Sequence, residues 1–232
     1  MPDWPAAVLF DFDGVLVNSE PLHFRAFRQA LAPEHIDLSE KEYFRELIGF
    51  DDKGAFRHIF QSRNLTLSPR TFLNLMAAKS RAMMQFIHRR EFSALPGVEQ
   101  FVRELWRKRP LAICSGALRD EIEAMLEGIS LRDCFSVIVA AEDVTVGKPD
   151  PQGYLLANRM LEEKIHQPLA PADCLVVEDA PTVIRSVRQV GFSVLGVATS
   201  YSIDKLKDAN WAVGTLEPAV VHRAVPQLRL ES

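Results

Sequence analysis

From Val98 to the end of this 232-residue chain, short apolar runs alternate with helical patterns, and that alternation constrains the fold more than any other feature. The runs are Leu111–Cys114, Val137–Ala140, Cys174–Val177, Ser193–Val197 and Trp211–Val213, and a further run, Val8–Phe10, opens the chain. They are strand-length, and most do not alternate polar with apolar, as strands buried on both faces do. Between them lie helical patterns over Val98–Lys108, Arg119–Leu126, Pro151–Leu161 and Thr182–Val190, with a terminal helix expected after the last strand. Strand and helix in turn predict an α/β fold, a Rossmann-like parallel sheet wrapped by helices. The stretch from about Val17 to Pro96 breaks the rhythm, because it is helical throughout. Pro21 suits a first helical turn, Ser39 with Glu42 suits a helix start, Asp51 or Asp52 suits a third, and Ser68-Pro69 a fourth.

Parallel sheets bind ligands beyond the carboxyl ends of their strands, so the residues there are the candidates for chemistry. Val8–Phe10 delivers Asp11 and Asp13 into the turn at Gly14. Two close carboxylates repel, and a site that keeps both usually holds a cation or shares a proton. Cys174–Val177 ends in Glu178-Asp179, Leu111–Cys114 ends in Ser115-Gly116, and Gly147-Lys148-Pro149 sets a lysine in a rigid turn. Taken singly, each has a plain alternative. Asp-Phe-Asp-Gly is good turn chemistry, Glu178-Asp179 suits a helix start before Pro181, Ser115 suits a turn and Lys148 a solvated surface.

Composition narrows the field. A net charge of -4 leaves no footprint for nucleic acid. Three cysteines, Cys114, Cys134 and Cys174, are too few and too apolar in setting for a disulfide framework, and they fit a reducing cytoplasm. No Cys/His spacing suits zinc, no run spans a membrane, and the first residues do not read as a signal peptide.

Asp11-Phe12-Asp13-Gly14-Val15, Ser115, Lys148 and Glu178-Asp179 occur in the order of the four motifs of the haloacid dehalogenase superfamily, which this chain resembles over most of its length. The resemblance implies an aspartate nucleophile at Asp11, a general acid and base at Asp13, and phosphoryl-oxygen donors at Ser115, Gly116, Ala117 and Lys148. It implies Mg2+ held by Asp11, the Asp13 carbonyl and Asp179, with Glu178 acting directly or through water. Asp13 favours phosphoryl transfer, since the dehalogenases proper lack that second aspartate. The helical insert resembles the superfamily's four-helix C1 cap, giving a core of residues 1–17 and 97–232 and a cap of 18–96. Within the superfamily the chain is most similar to the β-phosphoglucomutase-like subfamily, which points to Glu20, His23, Gly49, Asp52 and Lys53 as cap residues that contact substrate. The mutase itself carries a lysine just before a loop glycine and an arginine three residues after it. If Gly49 is that glycine, this chain has Ile48 and Asp52 there. The expectation is therefore a magnesium-dependent phosphatase of a small phosphorylated metabolite, with sugar phosphates among the candidates. The alternatives are a sugar-phosphate mutase and a non-catalytic binding or regulatory protein on the same fold. A monomer is expected, with a dimer as the alternative, and neither nucleic acid nor membrane as a partner.

Overall fold

The computed structural model describes residues 4–48 and 50–230. The chain divides into two compact units, Met1–Asn18 with Ser93–Ser232, and Ser19–Phe92.

The first unit is built on a six-stranded sheet. Its strands are β1 (Ala7–Phe10), β2 (Leu111–Cys114), β3 (Val137–Val139), β4 (Cys174–Glu178), β5 (Ser193–Val197) and β6 (Trp211–Val213). They lie in the order β3-β2-β1-β4-β5-β6, and every pairing is parallel. Phe10 is level with Ile113 on one side and Val177 on the other, so β1, β2 and β4 end nearly together.

Both faces of the sheet are covered, which is why its strands do not alternate. Ala7 and Leu9 of β1 join a core with Tyr154, Ala157 and Leu161 of one helix (Gln152–Ile165) and Val183, Ile184 and Val187 of another (Pro181–Gln189). Phe10, on the opposite face, meets Phe101 edge-on at 6.0 Å and Phe135 at 5.8 Å. Phe101 belongs to the helix Val98–Trp106, whose apolar positions Val98, Phe101, Val102 and Leu105 recur at helical spacing. The chain leaves and re-enters this unit at adjacent points. Asn18 N–H donates to the Ser93 carbonyl at 3.0 Å, and Leu95 N–H to the Leu16 carbonyl at 3.1 Å. Val17 and Ala94 form an antiparallel bridge between them.

The second unit consists, among the described residues, of α1 (Glu20–Leu31), α2 (Glu40–Glu42), α3 (Asp52–Ser62) and α4 (Pro69–His88). The end of α2 widens into a π-helical turn, Tyr43–Leu47, closed by Ile48 N–H on the Tyr43 carbonyl at 3.3 Å. Three helix starts carry side-chain caps. Ser39 Oγ accepts from Glu42 N–H at 3.2 Å, Asp51 Oδ1 from Gly54 N–H at 2.7 Å, and Ser68 Oγ from Thr71 N–H at 3.1 Å. Phe27, Leu31, Tyr43, Leu47, Phe56, Ile59, Phe60 and Leu75 make the core. No helix among the described residues is long and apolar enough to cross a membrane.

Candidate active site

The strand order reverses direction at β1, whose neighbours are β2 and β4. Crevices open at such switch points beyond the strand carboxyl ends. Here that crevice receives Asp11 from β1 and Glu178 and Asp179 from β4. Ligand atoms of these three carboxylates lie within 4.8 Å of one another, and all three residues are buried. Lys148, from the turn closed by Asp150 N–H on the Gly147 carbonyl at 3.2 Å, reaches into the group. Its Nζ donates to Asp11 Oδ1 at 2.6 Å and to Glu178 Oε2 at 2.9 Å.

Glu178 is fully buried and accepts hydrogen bonds on both oxygens. Oε2 also accepts from the Tyr154 hydroxyl at 2.6 Å, while Oε1 takes the backbone N–H groups of Asp179 at 3.2 Å and Ala180 at 3.1 Å. Burial would raise its pKa, but Lys148, Tyr154 and the Ala180 N–H together outweigh burial and hold it below the ordinary glutamate value. Asp11 lies on the other side of the balance. Its burial, with the adjacent charges of Glu178 and Asp179, pushes its carboxyl well above the ordinary range against the pull of Lys148. Burial alone would lower Lys148, yet Asp11 and Glu178 raise it, so it is a cation at every physiological pH.

Three carboxylates against one ammonium form a hard, all-oxygen donor set, and Asp11, Glu178 and Asp179 fit magnesium in residue type and in spacing. Gly14 follows with φ +75°, and a side chain there would run into Asp179 Oδ2 and come within 2.9 Å of Ser200 Oγ. Glycine is thus required both by backbone conformation and by the approach of the carboxylate.

Ser115 lies at the end of β2. Its N–H donates to the Val139 carbonyl at 2.9 Å, its Oγ accepts from Ala117 N–H at 3.0 Å and makes a long contact of 3.4 Å to Asp13 Oδ2. A Cβ added at Gly116 would meet nothing, so the backbone there faces open space. Cys114, just before Ser115, is a buried thiol whose pKa burial pushes up to about 12, far from a nucleophile.

Of the candidates in the second unit, His23 and Asp52 share a partner. Glu20 Oε2 accepts from the Tyr43 hydroxyl at 2.7 Å. His23 and Asp52 meet at Lys79, whose Nζ lies 3.0 Å from His23 Nδ1 and 2.8 Å from Asp52 Oδ2. Lys53 is exposed at the start of α3, and Gly49 lies outside the described residues.

Four residues escaped the sequence reading. Lys79 is almost wholly buried, on the apolar face of α4 between Leu75 and Met83; a lysine at that register is itself the signal. Tyr154 sits in the helix after the Lys148 turn. Thr199 and Ser200 follow β5, where the rule for strand ends applies as it does to β1. Ser200 Oγ hydrogen-bonds to Asp179 Oδ2, and Thr199 Oγ1 to the Gly14 carbonyl, with Asp179 Oδ2 at 3.3 Å from the same hydroxyl.

A family profile of haloacid dehalogenase-like hydrolases matches residues 8–197. Protein CbbY of Rhodobacter capsulatus is 30% identical over 96% of this chain and 98% of its own length. The fructose-1-phosphate phosphatase YqaB of Escherichia coli is 29% identical over 83% of this chain and 96% of its own. The crystal structure of CbbY from Rhodobacter sphaeroides superposes with a TM-score of 0.83 at 23% identity, covering 97% of this chain and 99% of that one, a likeness of fold.

Proposed function

The chain belongs to the haloacid dehalogenase-like hydrolase family, and on that premise we propose that it is a magnesium-dependent phosphatase of small phosphorylated metabolites, sugar phosphates among them. The observation that carries the reading is the meeting of Asp11, Lys148, Glu178 and Asp179 at the switch point of the sheet. The names of the curated relatives support the substrate class.

In this reading Asp11 attacks phosphorus through a carboxylate oxygen as the ester P–O bond breaks. Asp13 gives its proton to the leaving alkoxide. The resulting aspartyl-phosphate is opened by water, whose proton returns to Asp13 as the P–O bond to Asp11 breaks and inorganic phosphate leaves. Ser115 and the N–H of Gly116 donate to the phosphoryl oxygens, while Ala117 N–H, expected among these donors, is taken by Ser115 Oγ and steadies that hydroxyl instead, and Lys148 adds a fixed positive charge beside the nucleophile. Asp11, the Asp13 carbonyl and Asp179 would hold the cation, with Glu178 reaching it directly or through water; when bound it offsets the charge of an incoming phosphate dianion. The helical insert acts as the cap and supplies specificity. With Gly49 taken as the loop glycine of the mutase, Asp52, which is paired with Lys79, takes the place of the arginine that grips a second phosphate, and this favours hydrolysis over transfer. The three thiols are free and buried, in keeping with a reducing cytoplasm.

The test is phosphate release from a panel of sugar phosphates, nucleotides and glycolytic intermediates. Release that stops with chelator and in Asp11→Asn supports the reading. Conversion of β-glucose 1-phosphate to glucose 6-phosphate without phosphate release would replace it with a mutase, and silence in both assays would leave a binding protein.

A further inference from the structure

The reaction as drawn uses the ends of β1, β2 and β4 and the Lys148 turn, and leaves the loop after β5 without a task. That loop brings two hydroxyls to the carboxylate site. A threonine hydroxyl has one proton to give, and Thr199 Oγ1 is closest to the Gly14 carbonyl, with Asp179 Oδ2 the longer alternative at 3.3 Å. Ser200 Oγ donates to Asp179 Oδ2.

The two bonds act on different halves of one site. Ser200 limits the rotation of the Asp179 carboxylate by bonding to Oδ2. Thr199 holds the peptide of Gly14, the residue after Asp13, in a turn that already requires φ +75°. Its bond therefore steadies the backbone next to the Asp13 carbonyl. The packing is close: a Cβ at Gly14 would lie 2.9 Å from Ser200 Oγ. Magnesium demands near-ideal octahedral geometry, so ligands free to rotate bind it less well, and partners behind the ligands commonly set affinity.

We propose that Thr199 and Ser200 are positioning residues that brace Gly14 and Asp179 and thereby set the affinity of the carboxylate site for its divalent cation. The inference rests on the reading of that site as a magnesium site.

The experiment is calorimetric titration of Mg2+ into the chelator-stripped full chain, with Mn2+ followed by electron paramagnetic resonance as a second probe. Ser200→Ala is expected to weaken the cation about 10- to 100-fold, and Ser200→Thr, which keeps the hydroxyl, to restore most of that loss. Thr199→Val and Thr199→Ser form an independent pair with the same expected pattern, and carry the test if Ser200→Ala does not fold. In steady-state assays the Mg2+ concentration for half-activation should rise in Ser200→Ala, while kcat at saturating Mg2+ recovers. Affinities unchanged in both Ser200→Ala and Thr199→Val would overturn the inference and leave the magnesium reading standing, as would an equal loss in the hydroxyl-retaining variants. A wild-type chain that binds neither cation would overturn both.

Discussion

Tyr154→Phe removes one oxygen atom from the interior and nothing else. The ring stays in the core, 6.4 Å from that of Phe192, and the volume change is slight. What disappears is the 2.6 Å hydrogen bond to Glu178 Oε2, a carboxylate with no exposed surface, together with the longer bond of 3.2 Å that the hydroxyl accepts from Lys148 Nζ. Glu178 keeps Lys148 and two backbone donors, so it remains ionised but loses one of four donors. A hydrogen bond to a buried charge contributes about 1.5–3 kcal/mol. At about 3 °C per kcal/mol for a chain of this size, the melting transition of the sheet unit should fall by roughly 4–9 °C. The assay is differential scanning calorimetry in chelator, where no cation offsets the loss. A double-mutant cycle sharpens it: in a Glu178→Gln background the same change should cost about 1 kcal/mol less, because the acceptor is no longer charged. An unchanged midpoint in Tyr154→Phe, or equal losses in both backgrounds, would refute the view of Glu178 as a buried anion held by its donors.

Further expectations concern other parts of the molecule. Gly14→Ala forces a side chain against Asp179 at a left-handed position, and should abolish cation binding in calorimetry while destabilising the sheet unit by about 1–3 kcal/mol in urea. Lys79→Met keeps length but leaves Asp52 and His23 without the ammonium; Asp52 retains some solvent, so the loss should be roughly 2–3 kcal/mol, short of the full penalty for breaking a buried pair. Lys79→Met as stable as wild type in urea would show the pair to be energetically idle. The thiols of Cys114 and Cys174 have pKa values pushed up to about 12 by burial, so at pH 8 they are protonated as well as shielded. Ellman's reagent should react with them only after denaturation, and rapid modification of either in the native protein would contradict their placement.

The sheet was readable in the sequence because strands covered on both faces need unbroken apolar runs, and Val8–Phe10, Leu111–Cys114 and Cys174–Val177 have them. Caps at Ser39, Asp51 and Ser68 were readable for a local reason, since each acts on a backbone group three residues away. The charged groups at the switch point were legible as motifs at strand ends. Their partners were not. Tyr154 and Glu178 lie 24 positions apart, Thr199 and Gly14 185, and nothing in local pattern links such pairs. The pairing of Asp52 was hidden similarly: beside Asp51 it reads as a helix start or a substrate contact, and only the return of α4 brings Lys79 to it.

The central place of β1 has a consequence for how the chain is made. Synthesis delivers Ala7–Phe10 before any other strand of the sheet, and the partners of Val8 are Leu111 and Leu175, so the strand that leads to Asp11 has no partner until Leu111 is made and lacks its second until Leu175. The helical unit Ser19–Phe92 is continuous and can complete its own core before residue 93 leaves the ribosome. An apolar strand therefore waits, tethered to a finished domain, for a closure over long sequence distance that is intrinsically slow. The four residues that carry Asp11 to its place are thus also the strand of this sheet that is made first and must wait for its partners.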